Sequence, residues 1–213
     1  MTLYLDSADR AALGPLLETG LFAGITTNPL LLHRAGLTQR DLPALHDWAV
    51  GVGARTVFLQ TIGADVSALV VDGRRLRSLS NHVVVKVPAT SAGLTASRIL
   101  IEEGVPLLVT AVYHAAQALL AAAAGAQFIA PYLGRMTDAG RDGLTEIITM
   151  QHILTHTTTE ILVASIRTVD DLVTLAAAGV PTFTLGPPLA TAVLGDELTI
   201  LAAQEFEDIT QVE

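Results

Sequence analysis

Cysteine is absent from all 213 residues. That excludes a disulfide framework, a thiolate zinc site and cysteine catalysis together. Charge is sparse as well: 15% of residues are charged against 51% hydrophobic, a balance that rules out extended disorder as the main state. Long apolar runs are lacking. The nearest approach, residues 115–130, is alanine-rich and interrupted by Gln117 and Gln127, short of the ~18 unbroken apolar residues of a spanning helix. The opening MTLYLDSADR has neither a basic stretch nor an apolar core, so it does not read as a signal peptide. These absences predict a globular, cytoplasmic chain. Basic residues are few, 12 against 21 acidic, and the net charge of −9 argues against nucleic acid or an anionic membrane as partner. An anionic ligand would need a local basic pocket against the overall field.

Among the basic residues eleven are arginine and a single one is lysine, Lys86. It lies in Val83-Val84-Val85-Lys86-Val87-Pro88, a β-branched run that reads as a buried strand. Burial removes hydration from the ammonium and lowers its pKa, and a neutral amine is a nucleophile toward ketones and aldehydes. A carboxylate such as Asp6 could equally hold a charged lysine there as an ion pair. The arginine bias favours chemistry, because arginine serves carboxylates well and cannot form an imine.

Eight such apolar runs recur along the chain, at 2–6, 24–27, 57–61, 82–87, 106–112, 127–133, 160–166 and 182–185. They lack polar alternation, as strands of a sheet covered on both faces do. Helical stretches separate them. Ser7 is a candidate cap for a helix stopping at Gly20, Asn28 caps one that opens on Pro29, Thr90 caps one ending at Gly104, and Thr168 with Asp171 approximates a capping box. No linker divides the chain, so residues 1–213 are expected to form one domain. No Gly-rich phosphate loop follows any strand, which weakens an open nucleotide-binding sheet and also a pyridoxal-phosphate barrel. A closed (β/α)₈ TIM barrel of the α/β class is the expected fold.

In such a barrel the active site lies at the carboxyl ends of the strands. The polar residues there are Asp6, Thr26-Thr27-Asn28, Gln60, Lys86, Thr110, Tyr132 with Arg135, and Ser165 with Arg167. Asp6 could accept a hydroxyl proton during carbon–carbon cleavage or serve as a turn residue. Asn28 can cap a helix and still offer its amide to a ligand. Gln60 can orient a water or hydroxyl but cannot take its proton. Tyr132 is a core aromatic by default, though its strand-end position permits proton transfer. Two guanidinium forks with a hydroxyl suit a phosphate, while Arg135 or Arg167 could instead pair with Asp138 or Asp170. The six histidines show no metal-ligand spacing, and no metal is expected.

Tyr4-Leu5-Asp6, Gly24-Ile25-Thr26-Thr27-Asn28-Pro29, Val84-Val85-Lys86-Val87-Pro88, Thr110-Ala111-Val112-Tyr113 and Ala130-Pro131-Tyr132 resemble the transaldolase family. The resemblance is strongest to its small branch, which includes fructose-6-phosphate aldolase, and thins after Gly186. It implies a cofactor-free class I aldolase or dihydroxyacetone transferase acting on sugars or sugar phosphates. Lys86 matches the Schiff-base lysine, Asp6 the aspartate engaged with substrate hydroxyls, and Asn28 the asparagine on the dihydroxyacetone part. Arg135 and Ser165 match the phosphate contacts. Gln60, Tyr132 and Ala130 match the aldolase branch, where transaldolases of this type usually carry glutamate, phenylalanine and often serine. Leu133-Gly134-Arg135-Met136-Thr137-Asp138 and Ala164-Ser165-Ile166-Arg167 depart from the aldolase pattern. The resemblance further implies a homo-oligomer, pentameric or decameric, with the tail 204–213 as a candidate for its contacts. The aldolase reading therefore stands beside two others, a transaldolase and a non-catalytic sugar-phosphate-binding barrel.

Overall fold

A computed structural model describes residues 1–210. Eight parallel strands close into a barrel in sequence order: β1 (Thr2–Asp6), β2 (Phe22–Thr26), β3 (Thr56–Gln60), β4 (Val83–Pro88), β5 (Leu107–Val112), β6 (Phe128–Pro131), β7 (Glu160–Val163) and β8 (Thr182–Leu185). The outer layer holds α1 (Arg10–Glu18), α2 (Pro29–Arg34), α3 (Leu42–Gly51), α4 (Val66–Arg77), α5 (Ser91–Glu102), α6 (Ala115–Ala124), α7 (Leu133–Asp138), α8 (Gly143–Leu154), α9 (Val169–Ala177) and α10 (Pro187–Leu194). The closed (β/α)₈ barrel is thus observed. A further helix, α11 (Glu197–Thr210), contains no buried residue and exposes Leu198, Ile200, Leu201, Phe206 and Ile209. The tail 204–213 falls on α11 as far as Thr210, and residues 211–213 lie outside the described part.

Strand alternation sorts the core into two compartments. Outward side chains such as Leu5, Ile25, Leu59, Val85, Val109 and Leu185 pack against the helices. Inward ones, including Tyr4, Phe58, Val84, Leu108, Phe128 and Leu162, fill the barrel. Phe58 meets Tyr4 and Phe128 edge-on at 5.0 and 5.6 Å. Each such pair contributes ~1 kcal/mol beyond area burial, so the barrel has a solid apolar floor.

The same parity carries Asp6, Gln60, Lys86 and Thr110 inward at the strand ends. β2 obeys it only through a local irregularity, because Ala23 faces inward and so does Thr26. Gly24 absorbs the difference at φ +156°, and a Cβ there would lie 1.8 Å from the Thr56 carbonyl oxygen.

Asn28, Thr90 and Thr168 cap α2, α5 and α9 as expected. The cap of α1 is Asp9 rather than Ser7: its carboxylate accepts from the Ala11 and Ala12 amides, while Ser7 Oγ accepts from the Asp9 amide. Strands six and seven are shorter than their apolar runs. After Pro131 the chain turns through Tyr132 into α7, and after Val163 it reaches Ser165, at φ +59°.

Candidate active site

Lys86 is 2% exposed, inside the barrel at the end of β4. Its Nζ donates to the Thr27 carbonyl at 3.0 Å. Burial pushes its pKa below the usual lysine range, and the charge of Asp6 opposes that shift. No ion pair joins the two residues. The amine is therefore anchored by a neutral acceptor, which leaves its lone pair free for a carbonyl carbon once the proton has gone.

Asp6 stands beside it at the end of β1, where its Oδ1 accepts from Thr26 Oγ1 at 2.7 Å. Burial raises its pKa, while Lys86, the Thr26 hydroxyl and Arg135 pull it down. Tyr132 OH and Thr110 Oγ1 are 2.8 Å apart, and burial raises the pKa of the phenol. The Arg135 guanidinium lies 5.1 Å from the Tyr132 ring centroid, a cation–π distance.

A cavity of about 400 Å³ is lined by Asp6, Asn28, Tyr132, Arg135, Ser165 and Arg167, whereas Lys86 and Thr110 lie outside its lining. A side lobe of about 260 Å³ adds Gln60 and Ala111 to Asn28, Tyr132 and Arg135. Asn28 Oδ1 accepts from the Leu30 and Leu31 amides at 2.9 and 3.0 Å. Its amide nitrogen stays available to a ligand, so capping and cavity lining coexist in one side chain. Thr27, fully buried, contributes its carbonyl to Lys86 and does not line the cavity. Ala130 is likewise buried within the barrel and outside the lining.

The phosphate candidates divide. Arg167 grips Asp138 with both terminal nitrogens, at 2.6 and 2.5 Å. Arg135 is in no ion pair among the described residues. Ser165 sits at φ +59° with Gly134 packed against it: the Gly134 amide donates to the Ser165 carbonyl at 2.8 Å, and a Cβ on Gly134 would meet that oxygen and Arg167 Nε at 2.6 Å each.

Three features were not found by sequence reasoning. Arg34, at the end of α2, lines the cavity, yet an exposed helix arginine carries no local signal. Ala111, at φ +56°, marks a break in the β5–β6 register next to Thr110. Thr184, in an unremarkable strand sequence, reaches Thr26 inside the barrel.

A mandelate oxidase variant superposes with a TM-score of 0.61 at 14% identity, covering 88% of this chain and 66% of its own. Thiamine phosphate pyrophosphorylase from Pyrococcus furiosus superposes with a TM-score of 0.58 at 17% identity, covering 92% and 88%. At these identities the likeness is one of fold. Sequence relatives are nearer. A probable transaldolase of Nitrosopumilus maritimus is 37% identical over 209 residues, 97% of this chain and 93% of the relative. One from Phenylobacterium zucineum is 38% identical over 208 residues, 97% and 94%. Residues 3–213 match the family described as transaldolase/fructose-6-phosphate aldolase. With nearly its whole length matched, this chain belongs to the transaldolase/fructose-6-phosphate aldolase family.

Proposed function

We propose that the protein is a class I aldolase that cleaves and forms a carbon–carbon bond through an imine at Lys86, with dihydroxyacetone or hydroxyacetone as donor. The observation that carries this reading is the burial of the chain's only lysine beside, but not paired with, Asp6. Neutral Lys86 adds to the ketone carbon, and loss of water from the carbinolamine leaves the iminium. In cleavage, Asp6 takes the proton of the hydroxyl next to the breaking bond. The bonding electrons pass into the iminium to give an enamine, and the aldehyde departs. Tyr132, with Thr110 and a water oriented by Gln60, returns a proton to the enamine carbon, and hydrolysis frees the ketone. Asn28 would hold donor hydroxyls. Arg135 and Ser165, with Arg167, would hold the phosphate of an acceptor such as glyceraldehyde 3-phosphate.

Borohydride added with dihydroxyacetone is expected to leave a covalent mass on Lys86. Folded protein that gains no such mass would remove the imine from the account. Replacing Lys86 by methionine is expected to abolish turnover. Sugar-phosphate binding that survives in that variant, where the wild type itself shows no turnover, would leave a sugar-phosphate-binding barrel as the reading.

A transferase reading has its own support in the relatives, which are named probable transaldolases. Gln60 and Tyr132 favour the lyase, since a tyrosine able to protonate the enamine releases the donor instead of holding it for a second aldehyde. Free dihydroxyacetone from fructose 6-phosphate without added aldehyde is the expected result. Turnover only in the presence of erythrose 4-phosphate, giving a seven-carbon ketose phosphate and glyceraldehyde 3-phosphate with no free dihydroxyacetone, would establish transfer. The exposed apolar residues of α11, together with the family resemblance, support a homo-oligomer of this chain.

A further inference from the structure

Threonine 184 is fully enclosed on β8, contacts no part of the cavity, and has no place in the chemistry described above. Its Oγ1 lies 2.7 Å from Thr26 Oγ1, and Thr26 Oγ1 in turn donates to Asp6 Oδ1 at 2.7 Å. A threonine hydroxyl carries one proton. Because the proton of Thr26 is committed to the carboxylate, the proton in the Thr26–Thr184 contact must come from Thr184. The sense of the chain is fixed: Thr184 to Thr26 to Asp6. Strand pairing holds it in place, since Thr26 is in register with Asp6 across β1–β2 and Thr184 with Tyr4 across β1–β8. Both hydroxyls are at most 1% exposed, so no water competes for them. Hydrogen bonds in series within a dry interior polarise one another.

We infer that Thr184 is a positioning residue for Asp6, acting through Thr26 to fix the direction of the carboxylate and to favour its ionised form as proton acceptor. The inference rests on the role given to Asp6 in the proposed cleavage. Asp6 is also faced by Lys86 from β4, by Tyr132 from the end of β6 and by Arg135 from α7. The two cations favour its charge, and the hydroxyl chain adds to them from β2 and β8, the strands that flank β1.

Three substitutions separate this role from packing. Thr184→Val keeps the shape and removes the donor, Thr184→Ser keeps the donor and removes the methyl, and Thr184→Cys keeps the volume with a weak donor. For the valine variant, kcat of ketose cleavage is expected to fall by about fivefold, the worth of one buried hydrogen bond, with KM unchanged. The acid limb of its kcat/KM profile is expected to move to higher pH, because a carboxylate that loses donors is harder to ionise. Serine should restore the wild-type profile and cysteine should lie between; should valine not fold, cysteine against serine makes the same comparison. A valine or cysteine variant with an unmoved acid limb and kcat, or a serine variant as impaired as valine, would overturn the inference. Asp6→Asn is the separate control: cleavage that survives it removes the role of Asp6 itself, whatever Thr184 does.

Discussion

A lysine is legible in a sequence when it stands where lysine is costly, and Lys86 stands in a run of valines. Its environment makes a directional prediction. The folded pKa is depressed from 10.5 by burial, so the reactive free amine grows as pH rises through a midpoint below that value. The rate of borohydride trapping with dihydroxyacetone should follow the same curve, and a midpoint at or above 10.5 would contradict it. Stability follows with the opposite proton count. Between the depressed folded value and 10.5, unfolding takes up a proton, so this group's contribution to stability rises with pH across that window. Denaturant titrations of wild type and Lys86→Met should therefore draw together as pH approaches 10.5. Other residues were less legible, for physical reasons. Arg34 is an ordinary helix arginine until α2 is placed over the barrel mouth. Thr184 looks like strand filler, and only closure of β8 onto β1 gives it Thr26 as a neighbour.

At the scale of elements, the apolar runs located all eight strands, because both faces of this sheet are covered and the runs are nearly unbroken. Their ends were less well read. Residues 132–133 and 164–166 continue the apolar pattern, yet pairing there shrinks to a single Tyr132–Ala164 bridge before the backbone starts α7 and sets Ser165 at positive φ. Apolarity reports burial, and these turns are buried without being strand. Gly24 is the element-scale pivot of the site. A side chain at that position collides with the β3 backbone at Thr56, so Gly24→Ala should destabilise the fold by ~2 kcal/mol or more. It should also lower cleavage in whatever protein remains folded, since β2 could no longer present Thr26 to Asp6. Urea unfolding and turnover per folded molecule, measured together, test both halves; an alanine variant of wild-type stability would show that the β2 irregularity does not need glycine.

Across the whole molecule, barrel closure is complete at β8 and the site is assembled from residues up to Arg167 and Gly186. No residue of α11 is buried, so the barrel is expected to stand without it. Removal of residues 197–213 is expected to leave the thermal midpoint within a few degrees and to reduce the particle mass seen by light scattering. A large drop in midpoint with unchanged mass would mean that the helix serves the barrel itself. At this scale the mouth of an acidic molecule carries three arginines: among the described residues Arg34 and Arg135 stand outside any ion pair, while Arg167 is held by Asp138.

The lone lysine has one more consequence. Growing the protein on lysine labelled only at its ε-nitrogen would mark a single atom in the whole molecule, the one proposed to bond the ketone. Its resonance would report amine, imine and product states without assignment, and a crowded spectrum from a working enzyme would become a one-line readout.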